Sequence, residues 1–288
     1  MPMEIDRKEL KRRAKEAMSL TRPSFWIVTF VYLLMTTGVS FLADLAPGML
    51  GGFLTIAITL YSWVVGFSYR LWSLWTARRL NPGLGSLMDG FSVAGRVILL
   101  ELGILVRIMG WTMLLSFAMA FLMMAIPNAA VAVVLMLVVV MLVNIIALRY
   151  SMSYYVLADY PDLGSGIALA HSVRLTKGWI KELVYLHLSF AGWYILSYVL
   201  ALVGIAVGTV LGGGMAALAA LAPGQLMAQI GAMEITTTAV LLSHVVSLPV
   251  TLYFTPYLEV TMAEFYNARI SLGDNMADPL GGMQMPPV

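Results

Sequence analysis

Six stretches of this chain, near residues 24–43, 49–77, 96–125, 129–157, 180–221 and 236–268, run almost free of charge. A helix needs about 20 apolar residues to cross the hydrocarbon of a bilayer, and each stretch supplies them. Turn-forming residues separate the stretches: Ala46-Pro47-Gly48, Asn81-Pro82-Gly83, Pro127-Asn128, Tyr160-Pro161-Asp162 and Ala222-Pro223-Gly224. Only 11% of the residues are charged and 60% are hydrophobic. A water-soluble domain carries about 25% charge, so an ordinary globule and a disordered chain are both excluded. The expected fold is all-α, a polytopic membrane helix bundle of six transmembrane helices. Residues 1–272 form a single integral membrane domain, and 273–288 form a disordered tail. The basic N-terminus before Phe25–Leu42 resembles a signal peptide, but that apolar run exceeds the usual ~7–15 residues and is read as a retained first span.

The basic residues are placed on one side. Seven of the 17 Lys and Arg fall in the first 22 residues: Arg7, Lys8, Lys11, Arg12, Arg13, Lys15 and Arg22. Arg78, Arg79 and Arg96 follow the second stretch, Arg174, Lys177 and Lys181 the fourth, and Arg269 the last. The alternate loops around 44–49, 126–129 and 222–235 have none. By the positive-inside rule both termini are cytoplasmic. A basic cluster beside an apolar run suits anionic lipid at that face, not nucleic acid.

The segments on the basic side repeat. With an offset of 79, Arg70, Pro82, Leu84, Gly85 and Ser86 fall on Arg149, Pro161, Leu163, Gly164 and Ser165. Aligning Ser19, Ser92 and Ser172 yields three modules, about 5–77, 84–157 and 163–269. Each is an amphipathic helix followed by a two-span hairpin, so a threefold parallel repeat about the membrane normal is expected. In the third amphipathic helix, Leu163–Gly178, Asp162 is the expected cap and Gly178 the terminator. Ile167, Leu169, Ala170, Val173 and Leu175 supply its apolar groups, and His171, Arg174 and Lys177 its polar ones.

Ionisable groups within spans are functional candidates, because leaving one unpaired in lipid is costly. Arg70, Glu101, Arg107, Arg149, His187 and Glu259 form a candidate intramembrane polar layer, with ion pairing between modules or a proton-coupled relay as the two readings. Pro249 and Pro256 are candidate kinks, since each removes an N–H and frees a carbonyl near Val245 or Leu252. Gly204, Gly208 and Gly212 bare one helix face for close packing, internal or between copies.

Cysteine is absent, which removes thiol nucleophiles, disulfides and thiolate metal sites. No H-E-x-x-H, phosphate-binding glycine loop or G-x-S-x-G elbow occurs. Asp159 and Asp162 flank a turn, where capping accounts for them. No catalytic constellation and no cofactor are expected.

The segment LADYPDLGSGIALAHSVRLTKGWIKELVYLHLSFAGWYIL, from Leu157 to Leu196, resembles an uncharacterised bacterial membrane family, the domain of unknown function nine hundred and seventy-five. Ala158-Asp159, Pro161, Ala168, Ser172, Lys177-Gly178, Leu188-Ser189-Phe190 and Gly192-Trp193 carry the likeness. The opening ELKRRAKEAM and the late TPYLEVTMAEFY are similar to that family's ends. Glu101 and Arg107 stand where the family is usually apolar. The resemblance implies a multi-span protein of the bacterial inner membrane and no particular activity. The expected role is a non-enzymatic accessory or binding protein acting on lipid or a membrane partner, with a membrane-protein partner or a homo-oligomer as the assemblies left open. The alternative is a small-solute or lipid transporter or channel.

Overall fold

The computed structural model of the chain describes residues 6–44, 48–126, 128–209, 211 and 237–272. Residues 212–236, Gly212 among them, and 273–288 therefore lie outside the described residues. Among the described residues the regular structure is all helix, and six helices are long and apolar enough to cross a membrane: Phe25–Leu42, Gly48–Ala77, Leu84–Met124, Ala130–Asp159, Ala191–Thr209 and Thr237–Ser271. The chain divides into two compact units, Met1–Leu186 with Pro256–Val288, and His187–Thr255.

In the first unit, helix α1 (Arg7–Leu20) starts where the Asp6 carboxylate accepts from the Lys8 N–H at 2.9 Å. Leu10, Ala14, Ala17 and Met18 recur at helical spacing and are buried. The opposite face is laced by Arg12 and Arg13 on Glu9, and Arg12 on Glu16. Hydrogen bonds from Arg12 and then Arg13 hold the Glu9 carboxyl down at about 2. The first span is built from α2 (Phe25–Leu33), a π-helical turn (Leu34–Gly38) and α3 (Val39–Asp44).

Helix α4 (Gly48–Ala77) stops because Arg79 and Asn81 turn into the left-handed region at φ 61° and 50°. The Asn81 amide oxygen accepts from the Arg22 N–H at 2.6 Å, joining this turn to the end of α1. The next segment, Leu84–Val93, is a 3₁₀ helix, not the amphipathic α-helix expected there. Packing is one reason: the Gly90 N–H donates to the Ser68 hydroxyl of α4 at 3.1 Å, and a Cβ on Gly90 would meet the Val64 carbonyl at 3.0 Å. Helices α5 (Ala94–Ala125) and α6 (Ala129–Leu148) form the expected hairpin, with Asn128 capping α6 through the Ala130 and Val131 N–H groups. Helix α7 (Ser153–Asp159) continues α6 after a turn.

Helix α8 (Ser165–Thr176) ends at Gly178, φ 83°, as expected. Its start differs. Gly164 is the N-cap and makes no side-chain bond, while Asp162 is exposed and reaches Arg96 at 3.4 Å. The helix also turns differently from the expected division: Ala168, Leu169, His171, Ser172, Leu175 and Thr176 are buried, while Ile167 is exposed. Ser172 explains the inward polar groups, because its hydroxyl donates to the Arg149 carbonyl at 2.7 Å, at the C-terminal end of α6.

The core of this unit gathers at the ends that bear the charges: Val64–Ala77 of α4, Val97, Leu100 and Ile104 of α5, Met152–Leu157, and Val260–Tyr266 of the last helix, α11 (Thr237–Ser271). Toward their other ends α5 and α6 expose Leu114, Phe117, Phe121, Val133, Met136 and Leu137. Such outward apolar side chains suit a lipid solvent, where inter-helix packing has no hydrophobic drive.

The second unit holds α10 (Ala191–Thr209) and the first part of α11. The expected fifth span from 180 is divided, because Lys181 and Glu182 sit in a separate helix, α9 (Ile180–Leu188), ahead of the apolar α10. A Cβ on Gly204 would meet the Ser243 Cα at 2.5 Å, and one on Gly208 the Ala239 N at 2.9 Å. The bare face of α10 is thus placed against α11, backbone to backbone. Phe254 packs on Phe190 and Tyr194, with ring centroids 6.1 and 4.7 Å apart.

Candidate functional site

The polar groups of the first unit form two clusters. The deeper one is centred on Arg70 of α4. Its guanidinium lies 3.8 Å from Glu101 of α5 and 3.8 Å from Glu259 of α11. It stacks on the Tyr154 ring at 3.8 Å, a geometry in which the ring face attracts the cation. The Tyr155 hydroxyl donates to the Glu259 carboxylate at 3.3 Å. On the neighbouring turns Tyr69 bonds Thr29 at 2.8 Å and stacks on Tyr32 at 4.1 Å. One guanidinium is therefore shared by two carboxylates among aromatic rings.

The second cluster sits at the helix ends. Arg78 grips Asp159 with two parallel hydrogen bonds of 2.6 and 2.8 Å, and donates to Asn267 at 3.1 Å. The Tyr266 hydroxyl donates to the same Asp159 carboxylate at 2.9 Å. Arg79 pairs with Glu264 at 2.9 Å and donates to the Arg13 carbonyl of α1 at 3.3 Å. Arg269, 2% exposed, donates to the Leu175 carbonyl and lies over Trp179. Helices α1, α4, α7, α8 and α11 are thereby tied at one end by charge-assisted bonds, which are about twice as strong as neutral ones.

Three of the six polar-layer candidates, Arg70, Glu101 and Glu259, meet in this way. The other three do not. Arg107 turns back to the Gly103 carbonyl of its own helix at 2.8 Å, at an exposed position. Arg149 is exposed, and its structural part is its backbone carbonyl. His187 belongs to the second unit. Arg149 departs from its offset partner Arg70 because a turn at Arg149–Met152 breaks the helix where α4 runs on.

Pro249 and Pro256 both lie within α11, which continues through them. The neighbouring hydroxyls of Ser243, Ser247 and Thr251 bond the carbonyls of Val240, Ser243 and Ser247 in the preceding turn.

The second cluster is not legible in the sequence. Arg78 and Arg79 were legible only as loop charge, and Asp159 only as a capping group; the structure corrects the latter, because its carboxylate is held by Arg78 and Tyr266. The available signal was that Asp159 and Tyr266 both fall in the segments that carry the family likeness.

Fold and site together define a multi-span helical protein whose charges are concentrated at one end of its main unit. The chain matches a family described as a protein of unknown function (DUF975) over residues 1–271. It belongs to that family. No curated protein and no solved structure matches it.

Proposed function

We propose that this is a non-enzymatic accessory or binding protein of the bacterial inner membrane, acting on lipid or on a membrane partner. The observation that carries this reading is the pairing of the charges within the first unit. Arg70, Arg78 and Arg79 each face a carboxylate on another helix. Groups so engaged hold helices together; a carrier site needs groups that exchange partners with a solute. The basic end faces the cytoplasm, and α1, the 3₁₀ segment and α8 form a collar there, opening three related modules. The exposed basic groups of α1 meet anionic headgroups, where each Lys or Arg contributes about 1 kcal/mol.

The test is flux against stability. Reconstituted in vesicles, the protein is expected to leave proton and potassium gradients intact. Glu101→Gln is expected to lower the melting temperature by several degrees, since it weakens one of the two carboxylates that hold Arg70. A gradient-driven flux that Glu101→Gln abolishes at unchanged melting temperature would overturn the proposal in favour of a transporter or channel.

A further inference from the structure

A cleft of about 390 Å³ opens on the first unit between α4, the 3₁₀ segment and the end of α7. That volume lies within the range of small-ligand pockets. Phe67, Leu71 and Trp75 form one wall, spaced four residues apart on α4, and Leu157 lies opposite from α7. Phe67, Leu71 and Leu157 are buried, so these walls are part of the packed core. The polar side chains of the lining are Asp89 and Ser92. Ser92 is engaged, its hydroxyl donating to the Asp89 carbonyl at 2.7 Å. The Asp89 carboxylate differs from the other acidic groups at this end: among the described residues no cation or hydrogen-bond donor reaches it.

An unpaired carboxylate in one cleft with a part-exposed Trp75 and apolar side chains selects one chemistry. Its ligand has a cationic head for Asp89 and an apolar body for Trp75, Met88 and Val93, the lining side chains that are not buried. An anionic head is repelled. The surroundings indicate where such a molecule comes from. Leu84, Met88 and Phe91 beside the cleft are 40%, 56% and 40% exposed, as on a surface bathed in lipid. Arg96 stands at the rim, donating to the carbonyl of Pro161, itself a lining residue. Its side chain is 43% exposed, and its carboxylate partner Asp162, at 3.4 Å and 94% exposed, makes a loose surface contact that a phosphate next to the ammonium can replace.

We propose that this cleft binds a phospholipid with a primary ammonium headgroup, the ammonium on Asp89, the phosphate toward Arg96 and apolar chain against the α4 wall. The inference rests on the binding-protein reading and names its ligand class. It also separates two lipid contacts: the basic face of α1 gathers anionic lipid without selecting a molecule, whereas the cleft takes one aminophospholipid.

Native mass spectrometry of the full chain in detergent tests this, with phosphatidylethanolamine or phosphatidylglycerol of matched acyl chains added in turn. Phosphatidylethanolamine is expected to bind about fivefold more tightly, the scale of one partly exposed charge contact with an aromatic neighbour. Asp89→Asn should bring that ratio near one at unchanged melting temperature, because the residue is exposed and holds no helix in place. Met88→Trp, which fills the cleft from an exposed lining position, should weaken the preferred binding at unchanged melting temperature. Equal binding of both lipids to the unaltered chain, or a preference that survives Asp89→Asn, overturns the assignment. Either result leaves the binding-protein reading standing, since that reading does not depend on which lipid the cleft takes; it falls to a gradient-driven flux, or to a chain extracted bare of lipid and partner.

Discussion

Arg78 and Asp159 are separated by 81 positions and meet through two parallel hydrogen bonds. Neither is far exposed, at 20% and 11% of the side chain. Removing one partner of such a pair leaves the other charge stranded, which costs about 3 kcal/mol. Asp159→Ala is therefore expected to lower the unfolding free energy by about that amount. Arg78→Lys should recover only part of the loss, since a lysine cannot reproduce the two-pronged grip; thermal unfolding of the two variants checks both. The sequence exposes each charge but not the pairing, because a contact across 81 residues depends on how helices pack. His171 makes the same point. It reads as a polar-face residue and is buried on α8. Burial, helped by Arg174, holds its imidazole below the usual 6.5. The unfolded chain then takes up the proton first, so stability is full above about pH 6.5 and falls as pH drops toward the lower folded value. His171→Gln is expected to flatten the melting temperature between pH 7 and pH 5, and an unchanged slope would contradict this.

Elements were legible where local chemistry decides them. The six apolar helices, the Asn128 hairpin and the Gly178 stop follow from hydropathy and turn residues. Three details did not, each for a reason outside the local sequence. Leu84–Val93 is 3₁₀, with Gly90 packed against α4. Helix α8 turns Ser172 inward to reach the carbonyl that ends α6. Helix α9 separates from α10 at its charged residues. The glycine face of α10 was readable as a packing surface, and the structure supplies its occupant, α11. Gly204→Val is accordingly expected to destabilise the protein by at least 2 kcal/mol, because the added carbons meet backbone and not a movable side chain. Gly192→Ala, with open space around it in the same helix, should be neutral or stabilising by up to about 1 kcal/mol. Comparable losses from the two would contradict the packing.

At the scale of the whole molecule, the basic residues on alternate loops predict a topology that the helix arrangement leaves open. Reporters fused after Leu45 or after Gly224 are expected to read as external, and one fused after Arg79 as cytoplasmic. A reversed pattern would move the charged clusters to the outer face. On the function proposed above, the molecule works by holding something at the membrane, with its inter-helix charges engaged in its own architecture. The most direct measurement is native mass spectrometry of the protein extracted gently from its own membrane. A phospholipid or a protein partner retained at reproducible stoichiometry is expected. A chain that comes off bare, or loaded with a small water-soluble solute, would contradict it.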